Sequence, residues 1–142
     1  MHLLLVEDNP EDVLCVRRAL RDMPGNIEVS VVPNGRRALA FLHRWHPYAH
    51  VALPDLIFLD LHLPRKSGEE ILAELKRDPR FQRLPVVVLT SIAAPREVTH
   101  CYELGANAFL VKPLQWHEYR RLVRSAVEFW SACQFCICSE GP

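Results

Sequence analysis

Leu56-Ile57-Phe58-Leu59-Asp60 sets four apolar residues directly against a carboxylate, after the break at Pro54-Asp55. A strand with one wet face alternates apolar and polar residues; an unbroken apolar run of this length marks a strand covered on both faces. The same form recurs three times. Leu3-Leu4-Leu5-Val6 runs into Glu7-Asp8, Pro85-Val86-Val87-Val88-Leu89 into Thr90-Ser91, and Ala108-Phe109-Leu110-Val111 into Lys112-Pro113. A less uniform strand is predicted over 27–32, after the break at Pro24-Gly25-Asn26. Amphipathic stretches fill the intervals. Helices are predicted over 11–21, with Val13, Leu14, Val16 and Leu20 facing in, and over 36–45, with Ala38, Leu39 and Leu42 facing in. A third begins at the capping box Ser67-Gly68-Glu69-Glu70 and runs through Ile71, Leu72 and Leu75. A fourth covers 95–104, closed by Gly105, and a last one runs from Gln115 to about Cys133. Five strand–helix units in strict alternation imply an α/β fold: a doubly wound parallel sheet with helices on both faces. Ligands of such folds sit beyond the carboxyl ends of the strands, where strand order reverses.

The bulk properties agree with one domain. A chain of 142 residues buries roughly 68–70% of its unfolded surface. Hydrophobic residues at 49% and charged residues at 24% are ordinary globular values and argue against disorder. Lys plus Arg equals Asp plus Glu at 17 each, so no net charge draws the chain to nucleic acid or to an anionic membrane. No apolar run approaches the roughly 18 residues of a spanning helix. The first residues lack the basic leader of a secretory signal, and a cytoplasmic protein with no membrane partner is expected. The five cysteines, Cys15, Cys101, Cys133, Cys136 and Cys138, are then expected as free thiols. Cys133-x-x-Cys136-x-Cys138 has metal-like spacing but no evident fourth ligand; an apolar helix end explains it more simply.

The residues just past the strand ends carry the chemistry. A parallel sheet brings Glu7, Asp8, Asp60, Thr90, Ser91 and Lys112 to one edge. Clustered carboxylates repel one another unless a cation joins them. A few hard oxygen ligands suit Mg²⁺, which keeps several waters and favours phosphate partners. A carboxylate can attack phosphorus to form an aspartyl phosphate, and phosphoryl transfer needs mainly positioning and charge neutralisation. Asp55 is expected to start its strand rather than join the site.

Taken together, these segments resemble the response-regulator receiver domain of two-component signalling. The resemblance rests on Leu4-Leu5-Val6-Glu7-Asp8-Asn9, the stretch from Pro54 through Asp60 to Pro64, Gly68, Pro85-Val86-Val87-Val88-Leu89-Thr90-Ser91, Gly105-Ala106 and Lys112-Pro113, and covers residues 2 to 130. It implies the flavodoxin-like strand order 2-1-3-4-5. It implies Asp60 as phosphoacceptor, and Mg²⁺ held by Glu7, Asp8, Asp60 and the backbone carbonyl of His62. It also implies Thr90 and Lys112 on the phosphoryl oxygens, and Thr90 and Phe109 as a coupled switch. Phe109 lacks a hydroxyl to hold it outward, so its inward state is expected to be favoured even without phosphate. His62 is an unusual neighbour for a phosphoryl group.

The resemblance further implies a stand-alone regulator: a receiver over residues 1–133 with a tail over 134–142. It takes phosphate from a sensor histidine kinase, hydrolyses it slowly, and acts through protein contacts or as a phosphate relay or sink. The loop over 46–54 and the ending Phe129-Trp130 are similar to regulators that partner phytochrome-type kinases. On the last helix, Trp116, Tyr119, Val123, Ala126 and Trp130 form one apolar stripe, and Leu122, Phe129, Cys133 and Cys136 a second. A single stripe covers a sheet, so the second predicts a homodimer through this helix. Two rival readings remain. One is a Mg²⁺-dependent phosphohydrolase, against which stands His62 where such enzymes carry a second acid. The other is a dimeric binding module independent of phosphorylation. His43, His46 and His50 lack ligand spacing and are expected in a solvated loop; Cys15 and Cys101 are expected in the core or an interface.

Overall fold

Three strands whose side chains are hidden on both faces form the centre of the molecule. β1 (His2–Val6), β3 (Leu56–Leu59) and β4 (Val86–Thr90) are buried along their whole length. The structure, a computed structural model, describes residues 1–133. The outer strands are β2 (Glu28–Val32) and β5 (Ala108–Val111), and all neighbours run parallel in the order β2-β1-β3-β4-β5. The helices are α1 (Pro10–Leu20), α2 (Gly35–His43), α3 (Gly68–Arg77), α4 (Pro95–Glu103) and α5 (Trp116–Ala132). The sheet separates two cores. Leu4, Val6, Ile57, Leu59, Val86 and Val88 pack against α2, α3 and Cys101 of α4. Leu3, Leu5, Phe58, Val87 and Leu89 pack against Val16, Ala19 and Leu20 of α1 and Tyr119, Val123 and Val127 of α5. The doubly wound architecture read from the sequence is the one observed.

Local chemistry fixes where the helices start. Asn9 accepts from the Glu11 N–H, Asn34 from the Arg37 N–H, and Ser67 from the Glu70 N–H, each satisfying a donor that the first turn leaves free. Asp55 lies at the far end of the sheet. Its carboxylate accepts the His2 N–H at 2.7 Å and its own N–H donates to the His2 carbonyl, which pins β1 beside β3, away from the carboxyl edge.

Several expectations are corrected. Leu14 faces solvent, and Ala19 takes the inner position instead. Leu14 and Val16 stand two residues apart, roughly 200° around the helix, so they cannot share a face. β5 is not covered on both sides: it is an edge strand, and Val111 is half exposed. α2 stops at His43, not 45, because Arg44 adopts a left-handed conformation (φ 57°) that closes the helix. On α5, Leu122 belongs partly to the core, Phe129 is exposed, and Val127 is a buried position that the stripe reading passed over. Cys136 and Cys138 lie outside the described residues.

Gly68, the first residue of α3, packs directly on the chain that carries Asp60. A Cβ there would sit 2.7 Å from Leu61 Cα and closer still to the Asp60 carbonyl oxygen. Both obstacles are backbone, so relief requires moving the loop. Gly68→Ala is expected to cost about 1–3 kcal/mol, the range for overpacking, read as a lower urea midpoint at unchanged slope.

Candidate functional site

Every chemically active side chain at the carboxyl edge follows directly from a strand end. Glu7 and Asp8 leave β1, Asp60 leaves β3, Thr90 closes β4, and Lys112 leaves β5. The Glu7 N–H donates to the Val32 carbonyl, the Asp60 N–H to the Val6 carbonyl and the Lys112 N–H to the Thr90 carbonyl. Inter-strand hydrogen bonding therefore continues up to the site and holds it rigidly. One carboxylate oxygen from each of Glu7, Asp8 and Asp60 lies within 4.8 Å of the others. Across them, Lys112 Nζ stands 2.7 Å from Glu7 Oε2, 3.0 Å from Asp12 Oδ2 and 3.5 Å from Asp60 Oδ2. Thr90 Oγ1, fully buried, donates to Asp60 Oδ1 at 3.2 Å, and the His62 N–H reaches the same oxygen at 3.1 Å. Of the six residues gathered at this edge from the sequence, Glu7, Asp8, Asp60, Thr90 and Lys112 are thus brought together, while Ser91 is exposed to solvent.

Burial pushes the Glu7 carboxyl up to about 7 despite the ammonium beside it. Burial disfavours the charge on Glu7 more than the Lys112 ammonium offsets it, and the nearby Asp60 carboxylate adds to the effect. Burial also opposes ionisation of Asp60. The His62 N–H, the Lys112 ammonium, Glu7 and the Thr90 hydroxyl outweigh it and hold its carboxyl below the usual range. Of Glu7 and Asp60, Asp60 is therefore the one held ionised. Burial works against the Lys112 ammonium as well, but Glu7, Asp60 and Asp12 overcome it and hold its pKa above the ordinary value.

Asp12 was not anticipated. It sits in the first turn of α1, where an acid reads as a helix-dipole charge, yet it is a direct partner of Lys112. The imidazole of His62 lies outside the pocket, with Nε2 3.4 Å from the Ile92 carbonyl and 3.9 Å from Glu97 Oε2. Phe109 is half-buried and packs against the core on the α3–α4 side, and its N–H donates to the Tyr102 hydroxyl at 3.0 Å. Of the loop histidines, His46 and His50 are exposed, and His43 stacks on Trp45 with ring centres 4.4 Å apart.

The donor set fits a hard divalent cation: three carboxylates at ligating spacing, with open solvent beside the exposed Asp8. No helix among the described residues is long and apolar enough to cross a membrane.

The Cys101 thiol is buried, and it is pushed up to about 11 by that burial, with the Glu69 and Glu97 carboxylates adding to the effect. At pH 8 it is thiolate in roughly one part per thousand. Cys101 is therefore expected to resist thiol reagents in the folded chain while the half-buried Cys15 and Cys133 react, and to react on addition of denaturant. Peptide mapping of the labelled thiols checks this.

Comparison with known proteins places this geometry. Residues 3–124 match the model of the response regulator receiver domain. The chain is 38% identical over 128 residues to the response regulator Rcp1 of Synechocystis sp., covering 90% of this chain and 87% of the relative. The crystal structure of the phosphorylated cyanobacterial phytochrome response regulator RcpA superposes with a TM-score of 0.91 at 37% identity, covering 95% of this chain and 97% of that one. The Mn²⁺-bound form of Rcp1 gives a TM-score of 0.88 at 36% identity, covering 94% and 97%. The carboxyl-edge pocket, the strand order and these matches over nearly the whole chain lead to one conclusion: the chain belongs to the response regulator receiver domain family, whose members act as phosphoacceptors in signalling.

Proposed function

We propose that Asp60 is the phosphoacceptor and that Glu7, Asp8, Asp60 and the backbone carbonyl of His62 hold Mg²⁺. The observation that carries this reading is the meeting of three carboxylates and one ammonium in a single pocket, with Asp60 favoured to be ionised. A bound Mg²⁺ supplies charge neutralisation for the incoming phosphoryl oxygens. Asp60 attacks the phosphorus of a phosphohistidine, a P–O bond forms as the P–N bond breaks, and the imidazole leaves. Lys112, already facing Asp60 Oδ2, pairs with a phosphoryl oxygen. Thr90 trades its hydrogen bond to Asp60 Oδ1 for one to the phosphoryl group. That movement vacates space beside β5, and Phe109 fills it; its half-buried position in the unphosphorylated chain supports an inward bias. The aspartyl phosphate then hydrolyses slowly, without the turnover of a substrate enzyme.

The donor is a sensor histidine kinase. Similarity to a phytochrome response regulator supports a phytochrome-type kinase as that donor, in the cytoplasm. Incubation with a small acyl phosphate, with and without Mg²⁺, tests the reading: intact mass rises by one phosphoryl group only with the cation. An unchanged mass in both conditions contradicts it.

Self-association supplies the output surface in this reading. Tyr102, Val111, Leu114 and Phe129 expose apolar area on α4, on β5, on the turn before α5 and on α5 itself, and such area favours a protein interface. Light scattering at micromolar concentration is expected to give the mass of two chains. Phe129→Glu is expected to return it to one.

A further inference from the structure

A second charged region lies on α2 and the β3–α3 loop, and the phosphoacceptor reading makes no use of it. Arg36 and Arg37 occupy the first turn of α2, and with Asn34, Ala40, His46, Pro47 and Arg65 they line a cleft of about 600 Å³. An adjoining smaller hollow adds Lys66. Two features mark this cleft. Among the described residues no acid lines either hollow, in a chain whose charges otherwise balance. The first turn of α2 is capped by Asn34 but holds no acid, whereas those of α1, α3, α4 and α5 each carry one or two.

We propose that this cleft docks a carboxylate-bearing segment of a partner protein. The lining chooses the class of ligand. Guanidinium forks fit carboxylate and phosphate alike, but no Phe, Tyr or Trp lines the cleft, and its one aromatic ring, the His46 imidazole, is a small platform for a nucleotide base. Small-molecule cofactors take mainly apolar pockets, and here the apolar lining is limited to Ala40 and Pro47. An acidic peptide needs neither a stacking ring nor an apolar chamber.

Placement gives the cleft a use. Arg65 and Lys66 belong to the loop that starts at Asp60 and ends at α3, and Gly35 of α2 packs on Ile71 of α3. A partner that approaches the acidic pocket from this side meets negative charge at Glu7, Asp8 and Asp60 and positive charge beside it. Two adjacent patches of opposite sign fix the orientation of a docking protein and speed its encounter. That orienting use rests on the phosphoacceptor reading; binding of an acidic segment does not.

The test uses the unphosphorylated full chain, a labelled oligoglutamate peptide and, as competitor, tripolyphosphate. Amide-shift mapping is expected to show saturable binding confined to residues 34–37, 46 and 65–66. Replacing Arg36, Arg37 and Arg65 together by Glu is expected to weaken it by roughly tenfold or more, and added salt to weaken it further. The same variant is expected to keep its thermal midpoint and its Mg²⁺-dependent labelling by a small acyl phosphate, which separates loss of the cleft from loss of the phosphoacceptor site. Non-saturating shifts, shifts centred elsewhere, or equal binding by the triple variant overturn the proposal. Tripolyphosphate binding to the cleft more tightly than the peptide overturns the assignment to a carboxylate segment.

Discussion

Asp60→Asn is expected to take up no phosphoryl group from a small acyl phosphate under conditions in which the native chain gains one. Asp60 is held ionised in the pocket, beside the Lys112 ammonium. Two hydrogen bonds fix Oδ1, while Oδ2 faces the Lys112 ammonium. Glu7 cannot replace it, because it is more deeply buried, protonated to about 7 and closed off by Lys112. An amide is a far weaker nucleophile than a carboxylate, so the loss is complete on the scale of intact-mass detection. The folded state survives the change, since Asn keeps the shape and still accepts from the Thr90 hydroxyl and the His62 N–H. Uptake by Asp60→Asn equal to that of the native chain defeats the assignment.

The largest stability effect is expected at Lys112. Its side chain is 5% exposed and that of Glu7 is 2% exposed, with 2.7 Å between the charged atoms. Removing one member of a buried pair leaves the other uncompensated, at a cost of about 3–5 kcal/mol. Lys112→Met keeps the apolar stem, so the loss reports charge rather than volume. For a domain of this size it lowers the melting midpoint by roughly 10 °C. The sign of the pH dependence follows from Glu7. A carboxyl raised to about 7 from 4.5 binds its proton more tightly folded than unfolded, so stability on its account falls as pH rises through that window. Without the ammonium this group resists ionisation still more, and the deficit of Lys112→Met is expected to be larger at pH 8 than at pH 6. Saturating Mg²⁺ is expected to restore about 2.7 kcal/mol at one hundred times its dissociation constant, because the cation supplies the missing positive charge. Calorimetry with and without Mg²⁺ at the two pH values checks all three parts.

How far the sequence could be read depended on which physical constraint each residue obeys. β1, β3 and β4 were legible because burial on two faces leaves an unbroken apolar run. β5 carries the same kind of run at the sheet edge, and composition alone does not distinguish an edge strand from a central one. The site was legible because every member directly follows a strand, so one assumption, a parallel sheet, gathers Glu7, Asp8, Asp60, Thr90 and Lys112. Asp12 escaped because its position inside the first turn of α1 already had a local explanation. Leu14 was misplaced by treating apolar character as orientation, although helical phase puts it opposite Val16. The basic cleft left no mark on the overall composition: Arg36, Arg37, His46 and Arg65 come from separate segments, and balancing acids elsewhere hide them in a net charge of zero.

The central claim is that one pocket both gathers a cation and directs phosphoryl transfer to a single carboxylate. Borohydride reduction of the acyl phosphate, followed by peptide sequencing, reads the modified position directly. The account predicts that the label falls on Asp60 alone and appears only with Mg²⁺. A label on Asp8, Glu7 or any residue away from this pocket, or one that forms equally well without the cation, would contradict it.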